Sequence, residues 1–151
     1  MGLHFRYQQY RRSQPIVSLK GRMRRPRPVV GVGLAGPNGY RGRDAVVDTA
    51  ADDTVFPDGM AAEIGVDLTS APTGEGVGIG NRRIPLRYAE VTLRLTDGHE
   101  FREWLGWVGF TAAPLARPLL GFAGCLEYFT ATFYGDREEL ELEVNSSYPG
   151  T

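Results

Sequence analysis

The stretch that decides the fold is Ala45-Val46-Val47-Asp48-Thr49-Ala50-Ala51-Asp52-Asp53-Thr54. An apolar strand runs directly into an acid, a hydroxyl residue and two very small residues. This arrangement holds a carboxylate at a strand end and leaves room for another segment of backbone to approach. The triplet Asp48-Thr49-Ala50 is weak evidence alone, because an Asp after a strand is often a turn former or a helix cap. The surrounding sequence therefore has to supply the context.

The sequence on both sides of this stretch predicts β-structure. Residues 28–34 are apolar, Gly36-Pro37-Asn38-Gly39 is a strong turn signal, and residues 40–47 form the second strand of a hairpin. Val55-Phe56 begins another short strand. Residues 60–64 then predict one or two helical turns that end at Gly65.

The second half of the chain continues the β pattern. Residues 73–80 carry glycine at every second position, which predicts a thin and bendable strand. Long strands are expected at 84–95 and 100–110, a short helix at about 122–128, and a final hairpin at 129–134 and 139–144. The predicted fold class is all-β, a small closed β-barrel with one short helix in the C-terminal half.

Composition limits the class of protein. The chain has 151 residues, 42% of them hydrophobic and 23% charged, which is typical of one globular domain. No run of about 18 apolar residues or secretory leader is present, so no membrane association is expected. The single cysteine, Cys125, allows no internal disulfide. These features predict a cytoplasmic location.

Charge is distributed very unevenly along the chain. Residues 1–43 contain many Lys and Arg side chains but no Asp or Glu, and the first acidic residue is Asp44. We therefore divide the chain into a basic N-terminal extension (1–27), a main domain (28–144) and a C-terminal tail (145–151). A basic extension can bind nucleic acid or dock on an acidic protein surface. Its apolar residues, such as Ile16, favour docking, so nucleic acid is not an expected partner.

Residues 45–55 resemble the active-site segment of retropepsins, in which apolar residues precede Asp-Thr/Ser-Gly-Ala-Asp. Pro118-Leu119-Leu120-Gly121 is similar to the second signature of that family, two apolar residues and a glycine. The glycine-rich stretch 74–80 lies where these enzymes carry a flexible flap. Order and spacing fit over residues 28–144, and the chain most resembles the bacterial single-domain, retropepsin-like aspartic proteases.

The resemblance implies an aspartic endopeptidase that acts on a peptide or protein substrate as a two-fold symmetric homodimer. It needs no metal and no other cofactor. Asp48 would be the catalytic acid, one from each subunit, and Thr49 would hydrogen-bond across the dimer. The remaining implied residues are Ala50 and Ala51 in the active-site loop, Asp52 and Asp53 facing substrate, Gly76, Val77, Gly78, Ile79 and Gly80 in the flap, and the structural signature Leu119, Leu120 and Gly121.

The dimer also follows from the number of carboxylates that this chemistry requires. Two neighbouring carboxylates repel each other when both are ionised, so the pair holds one proton. The ionised member can then deprotonate water while the protonated member polarises a carbonyl. The chain has no second Asp-Thr/Ser-Gly/Ala triplet. One chain therefore supplies half of such a pair.

Two positions depart from the family pattern. Ala50 stands where glycine is usual, and Phe122 stands where many retroviral members have an arginine that pairs with the acid equivalent to Asp52. These differences keep a second hypothesis open, a non-catalytic module of the same fold that binds peptides or dimerises. A third hypothesis is a nucleic-acid-associated protein acting through the basic extension.

Other motifs do not predict a different chemistry. Residues 31–36 spell G-x-G-x-x-G, but Pro37 follows at once, so a turn is expected in place of a dinucleotide-binding helix. Neither His4 nor His99 has a partner at metal-ligand spacing. Trp104 and Trp107 should lie on opposite faces of one strand, with one of them in the core.

Overall fold

The computed structural model describes residues 2–150, which form a mostly β structure with one short α-helix. No helix in this range is long and apolar enough to cross a membrane. The strands are β1 (Leu3–Arg6), β2 (Gln8–Ile16), β3 (Arg22–Arg27), β4 (Val29–Gly36), β5 (Gly39–Val47), β6 (Val55–Pro57), β7 (Thr73–Val77), β8 (Arg83–Thr96), β9 (Phe101–Thr111), β10 (Leu119–Leu120), β11 (Phe129–Tyr134) and β12 (Glu139–Val144). The helix α1 spans Asp58–Ile64, and 3-10 helices span Val17–Leu19, Ile79–Asn81 and Leu126–Tyr128.

Seven strands form the main sheet in the order β4-β5-β10-β6-β9-β8-β7, and β4 also pairs with β8. β4 and β5 are the predicted hairpin, which closes at the pair Gly36–Gly39. The G-x-G-x-x-G segment is therefore part of a strand and its turn, and it opens no helix. The prediction of a turn at this point is confirmed.

β10 is the shortest strand of the main sheet, and it lies between β5 and β6. It is parallel to β5 and antiparallel to β6. Leu119 pairs with both Val46 and Val55. Since β5 and β6 are consecutive in the chain, the connection between them, residues 48–54, must pass around the end of β10.

The first residues of the chain dock on the last strands. β1 joins a three-stranded sheet in the order β1-β12-β11, with Leu3 opposite Leu142, and both side chains are buried. β2 and β3 form a separate two-stranded sheet that carries six of the eight Lys and Arg side chains of residues 1–27. Gln9 and Arg22 both bind Glu138, which fastens this basic hairpin to the body.

The core lies between the main sheet, α1 and the three-stranded sheet β1-β12-β11, which we call the terminal sheet. Trp104 is 2% exposed, and its Nε1 donates a hydrogen bond of 2.8 Å to the carbonyl of Gly124. Its ring lies edge-on to Phe129 and Tyr148, so the C-terminal tail packs against the core. Trp107 is 53% exposed, which confirms that the two tryptophans lie on opposite faces.

Our prediction of a short helix at about 122–128 is wrong. Only Leu126–Tyr128 are helical there, as a single 3-10 turn. Gly124 adopts the left-handed conformation (φ 86°), and Cys125 is also outside the helical region, so an α-helix cannot run through them. The only α-helix within residues 2–150 is α1, in the first half of the chain, which ends at Gly65 with φ 82° as predicted.

Candidate active site

Asp48 is the first residue after β5, and hydrogen bonds hold its backbone and its carboxylate. Its N–H donates to the carbonyl of Leu120 at 3.0 Å, which continues the pairing of β5 with β10. Its Oδ1 accepts a hydrogen bond of 3.0 Å from the N–H of Ala50, and its carbonyl accepts from Ala51 at 3.2 Å. The side chain is half-buried. The loop therefore presents an oriented carboxylate at a strand end.

The segment after β10 supports the rest of this loop from behind. The N–H of Phe122 donates to Ala51, and the N–H of Ala123 donates to Asp52, both at 2.9 Å. A β-carbon at Gly121 would overlap the carbonyl of Asp53, so only glycine fits beneath the loop. Residues 51–53 are thus held by backbone contacts on one side and are open on the other.

Thr54 is a structural residue of the site that the sequence did not reveal. Its side chain is fully buried, and its hydroxyl accepts a hydrogen bond of 3.2 Å from the N–H of Gly121. Its N–H and carbonyl bind Ala123 and Gly109. A threonine between an acidic pair and a strand carries no recognisable signal, because its role depends on the later segment that packs against it.

The open side of the loop faces a cavity of about 400 Å³. The cavity is bounded by the Asp48 loop, by β7 and the turn after it, and by the loop between β9 and β10. Its lining residues are Asp48, Ala50, Ala51, Asp52, Asp53, Val55, Glu75, Gly76, Val77, Gly78, Ile79, Ile84, Leu86, Thr111, Pro114, Leu115 and Leu119.

The predicted flap residues form one wall of this cavity. β7 pairs with β8 from Thr73–Arg87 to Val77–Arg83, and the N–H of Gly78 donates to Arg82 at 2.8 Å. Ile79 begins the turn and is 98% exposed. The glycine-rich segment is therefore a β-hairpin with an apolar tip, and no side chain among residues 2–150 covers that tip.

The structure brings most of the predicted site residues together, but four do not line the cavity. Thr49 is exposed beside it, and Gly80 lies in the flap turn with φ 76°. Leu120 is fully buried in the core and Gly121 lies behind the loop. These last two residues shape the backbone of the site and do not face its interior.

The charged side chains that line the cavity are all acidic. They are Asp48, Asp52, Asp53 and Glu75, and Glu75 forms an ion pair of 2.9 Å with Arg83 on the neighbouring strand. Asp52 is exposed, and its carboxylate has no partner among residues 2–150. Phe122 is also exposed, so the departure from the family pattern leaves both side chains in solvent. Within the described part of the chain, no group of three or more His, Cys, Asp or Glu could hold a metal ion.

Tyr88 is a second residue that sequence reasoning missed. Its hydroxyl donates a hydrogen bond of 2.9 Å to Oδ2 of Asp53. Burial, together with this bond to a carboxylate, raises the pKa of Tyr88 to about 12. The protonated hydroxyl is the donor in this bond to the Asp53 carboxylate. A tyrosine in the middle of a long strand gives no signal of this role.

The known proteins to which this chain is similar are found among solved structures. No protein-family model matches the chain, and no curated protein sequence matches it. Among solved structures, the chain is similar to a retropepsin-like aspartic protease from Rickettsia conorii. The two share 24% sequence identity over 76% of this chain and 81% of that chain, with a TM-score of 0.46.

Proposed function

We propose that this chain is a retropepsin-like aspartic endopeptidase that works as a homodimer, with Asp48 of each subunit as the catalytic carboxylate. The observation that carries the proposal is the placement of Asp48. It lies at a strand end, oriented by the Ala50 N–H, in a cavity whose opposite wall is the glycine-rich hairpin. The ring of pairings β4-β5-β10-β6-β9-β8, with β4 again next to β8, supports a closed barrel of the retropepsin type.

The proposed reaction is hydrolysis of a peptide bond by an activated water. Two Asp48 carboxylates brought together by a two-fold axis would share one proton, because two negative charges at that distance repel each other. The ionised carboxylate takes a proton from water as the water attacks the peptide carbonyl carbon. The protonated carboxylate donates a hydrogen bond to the carbonyl oxygen. No covalent enzyme intermediate forms.

The dimer is a requirement of this mechanism. Each chain has one Asp-Thr-Ala triplet and therefore one catalytic carboxylate. Thr49 is exposed next to Asp48 and does not line the cavity, which supports its role in contacting the loop of the other subunit. Closed two-fold symmetry is the common arrangement of such pairs.

The proposed substrate is an extended peptide that lies between the Asp48 loop and the flap. The cavity combines carboxylates on the loop with apolar side chains on β8 and on the loop before β10, such as Leu86 and Leu115. Closure of the flap over a peptide would cover Val77 and Ile79 and exclude water from the reacting bond.

The test is to compare the wild-type chain with Asp48→Asn on a peptide library, with mass spectrometry of the products. We expect cleavage by the wild type and a loss of at least about 100-fold in Asp48→Asn, which is the typical contribution of a general acid or base. Asp136→Asn, in an exposed turn remote from the cavity, is the matched control and should keep full activity. Equal cleavage by wild type and Asp48→Asn would refute the proposal.

The second candidate is a non-catalytic peptide-binding module, and Ala50 favours it. Its methyl group lines the cavity at a position where the family usually has glycine. A binding module would retain library peptides in both the wild type and Asp48→Asn and would cleave neither. Pull-down of the same library, followed by mass spectrometry, separates this outcome from the enzymatic one.

A further inference from the structure

Tyr88 connects two parts of the cavity wall that are far apart in the chain. It lies on β8 opposite Gly109, and its backbone N–H donates to the carbonyl of Pro72 at the base of the flap. A β-carbon at Gly74 would lie 2.7 Å from the tyrosine ring, so the flap strand passes directly over it. The phenol therefore packs under β7 while its hydroxyl reaches the Asp48 loop.

The carboxylate that Tyr88 binds is one of those that face the cavity. Asp53 is half-buried, and its other anchor is backbone pairing with Ala123. Without the hydroxyl, nothing among residues 2–150 would hold its side chain. Tyr88 itself is not among the residues that line the cavity. It can influence binding only through Asp53 and the flap.

We infer that Tyr88 is a positioning residue for substrate binding, which holds the Asp53 carboxylate in the cavity wall and ties the base of the flap to the active-site loop. The inference rests on the proposed function, since it assigns a task within peptide binding. It predicts an effect on KM and not on kcat, because Asp48 is oriented separately by Leu120 and Ala50.

The first experiment is a double-mutant cycle with a cleaved library peptide as substrate. Tyr88→Phe keeps the ring over Gly74 and removes only the hydroxyl. We expect it to raise KM about three- to tenfold, the usual effect of one hydrogen bond, with kcat unchanged. Asp53→Ala should raise KM at least as much, and Tyr88→Phe should add nothing further in that background. Tyr148→Phe, which loses a hydroxyl bond to Glu103 outside the cavity, is the control and should leave KM unchanged.

The second experiment does not depend on catalysis. Titration of Tyr88 by NMR should give a lower phenol pKa in Asp53→Ala than in wild type, because both the hydrogen bond and the negative charge are removed. Additive effects of the two substitutions on KM, a fall in kcat in place of a rise in KM, or an unchanged titration would each overturn the inference. A wild-type chain that cleaves no peptide refutes the proposed function instead, and the titration then decides alone whether Tyr88 holds Asp53.

Discussion

Gly121 lies directly beneath the carbonyl group of Asp53, so that a β-carbon at position 121 would overlap the carbonyl oxygen. The same β-carbon would also be only 2.8 Å from the carbonyl oxygen of Ala51. Both neighbours are backbone atoms: the Ala51 carbonyl accepts a hydrogen bond from Phe122, and Asp53 bridges to Ala123. They cannot rotate away as a side chain would. This contact therefore sets how closely the segment after β10 packs against the Asp48 loop.

Gly121→Ala is expected to destabilise the fold by about 3 kcal/mol, the upper end of the range for overpacking, because the clash is with backbone. Chemical denaturation measures the change. Gly31→Ala is the matched control, since a β-carbon there meets no atom within 4 Å. It should change the free energy of unfolding by less than about 1 kcal/mol. Equal effects of the two substitutions would show that the Gly121 contact does not constrain the loop.

Mixed dimers test whether both Asp48 carboxylates are needed. If wild-type and Asp48→Asn chains are refolded together in equal amounts, dimers with two intact carboxylates make up about a quarter of the total. Activity should therefore fall to about a quarter of that of the same total amount of wild type. Mixtures of wild type with Asp136→Asn should keep full activity. A fall only to about three quarters in the first mixture would indicate that one carboxylate per dimer is sufficient, and a fall to about one half that each chain acts independently.

A polar substitution at the apolar flap tip should raise KM for the substrate and leave the melting temperature unchanged. Ile79 is 98% exposed, so Ile79→Ser should leave the melting temperature unchanged. Because a bound peptide would cover this side chain, we expect KM to rise about tenfold, which corresponds to the burial of one aliphatic side chain. Val17→Ser, at the 94% exposed tip of the basic hairpin, should change neither quantity. A lower melting temperature for Ile79→Ser would mean that the tip is already packed in the free protein.

Asp97 should make the stability of the fold depend on acid pH. Burial acts to raise the pKa of Asp97, but backbone N–H bonds from Glu100, His4 and His99 outweigh it and lower the pKa from 3.8 to about 2. The folded state therefore binds the proton more weakly than the unfolded state. The stabilisation is complete above about pH 4 and is lost as pH falls to about 2.

The measurement is the urea midpoint of wild type and Asp97→Asn across this pH window. We expect the difference between the two proteins to shrink as pH falls, because protonation removes the advantage of the wild-type carboxylate. A difference that stays constant from pH 6 to pH 2 would contradict the lowered pKa. Since the His4 bond joins β1 to the turn after β8, the same substitution should also increase hydrogen exchange in β1.

The parts of the fold that the sequence predicts well are those in which neighbours in the chain pair with each other. The β4–β5 hairpin and the β7–β8 flap both contain turn residues that specify a reversal, such as Asn38-Gly39. The prediction of a helix at 122–128 was wrong for a reason that is local to the backbone. Phe122, Leu126 and Phe129 have helical spacing, but the left-handed Gly124 interrupts the backbone between them.

Contacts between segments that are distant in the chain could not be predicted from the sequence. Leu119-Leu120 is too short to indicate its own partners, and its place between β5 and β6 is set by the space that those strands leave. Tyr88 acquires its role in the same way, from a loop on another part of the sheet. The candidate carboxylate and flap could be predicted because they lie in continuous motifs. The division of the chain at residues 27 and 144 stays a prediction.

The pairing of β1 with β12 has a consequence for synthesis of the chain. Because synthesis runs from the N-terminus to the C-terminus, Leu3 leaves the ribosome well before its partner Leu142. The terminal sheet therefore cannot close until nearly all of residues 2–150 have been made. Until then β1 and the apolar side chains that it covers remain exposed to other chains. The terminal sheet can thus assemble only after every strand of the main sheet has been made.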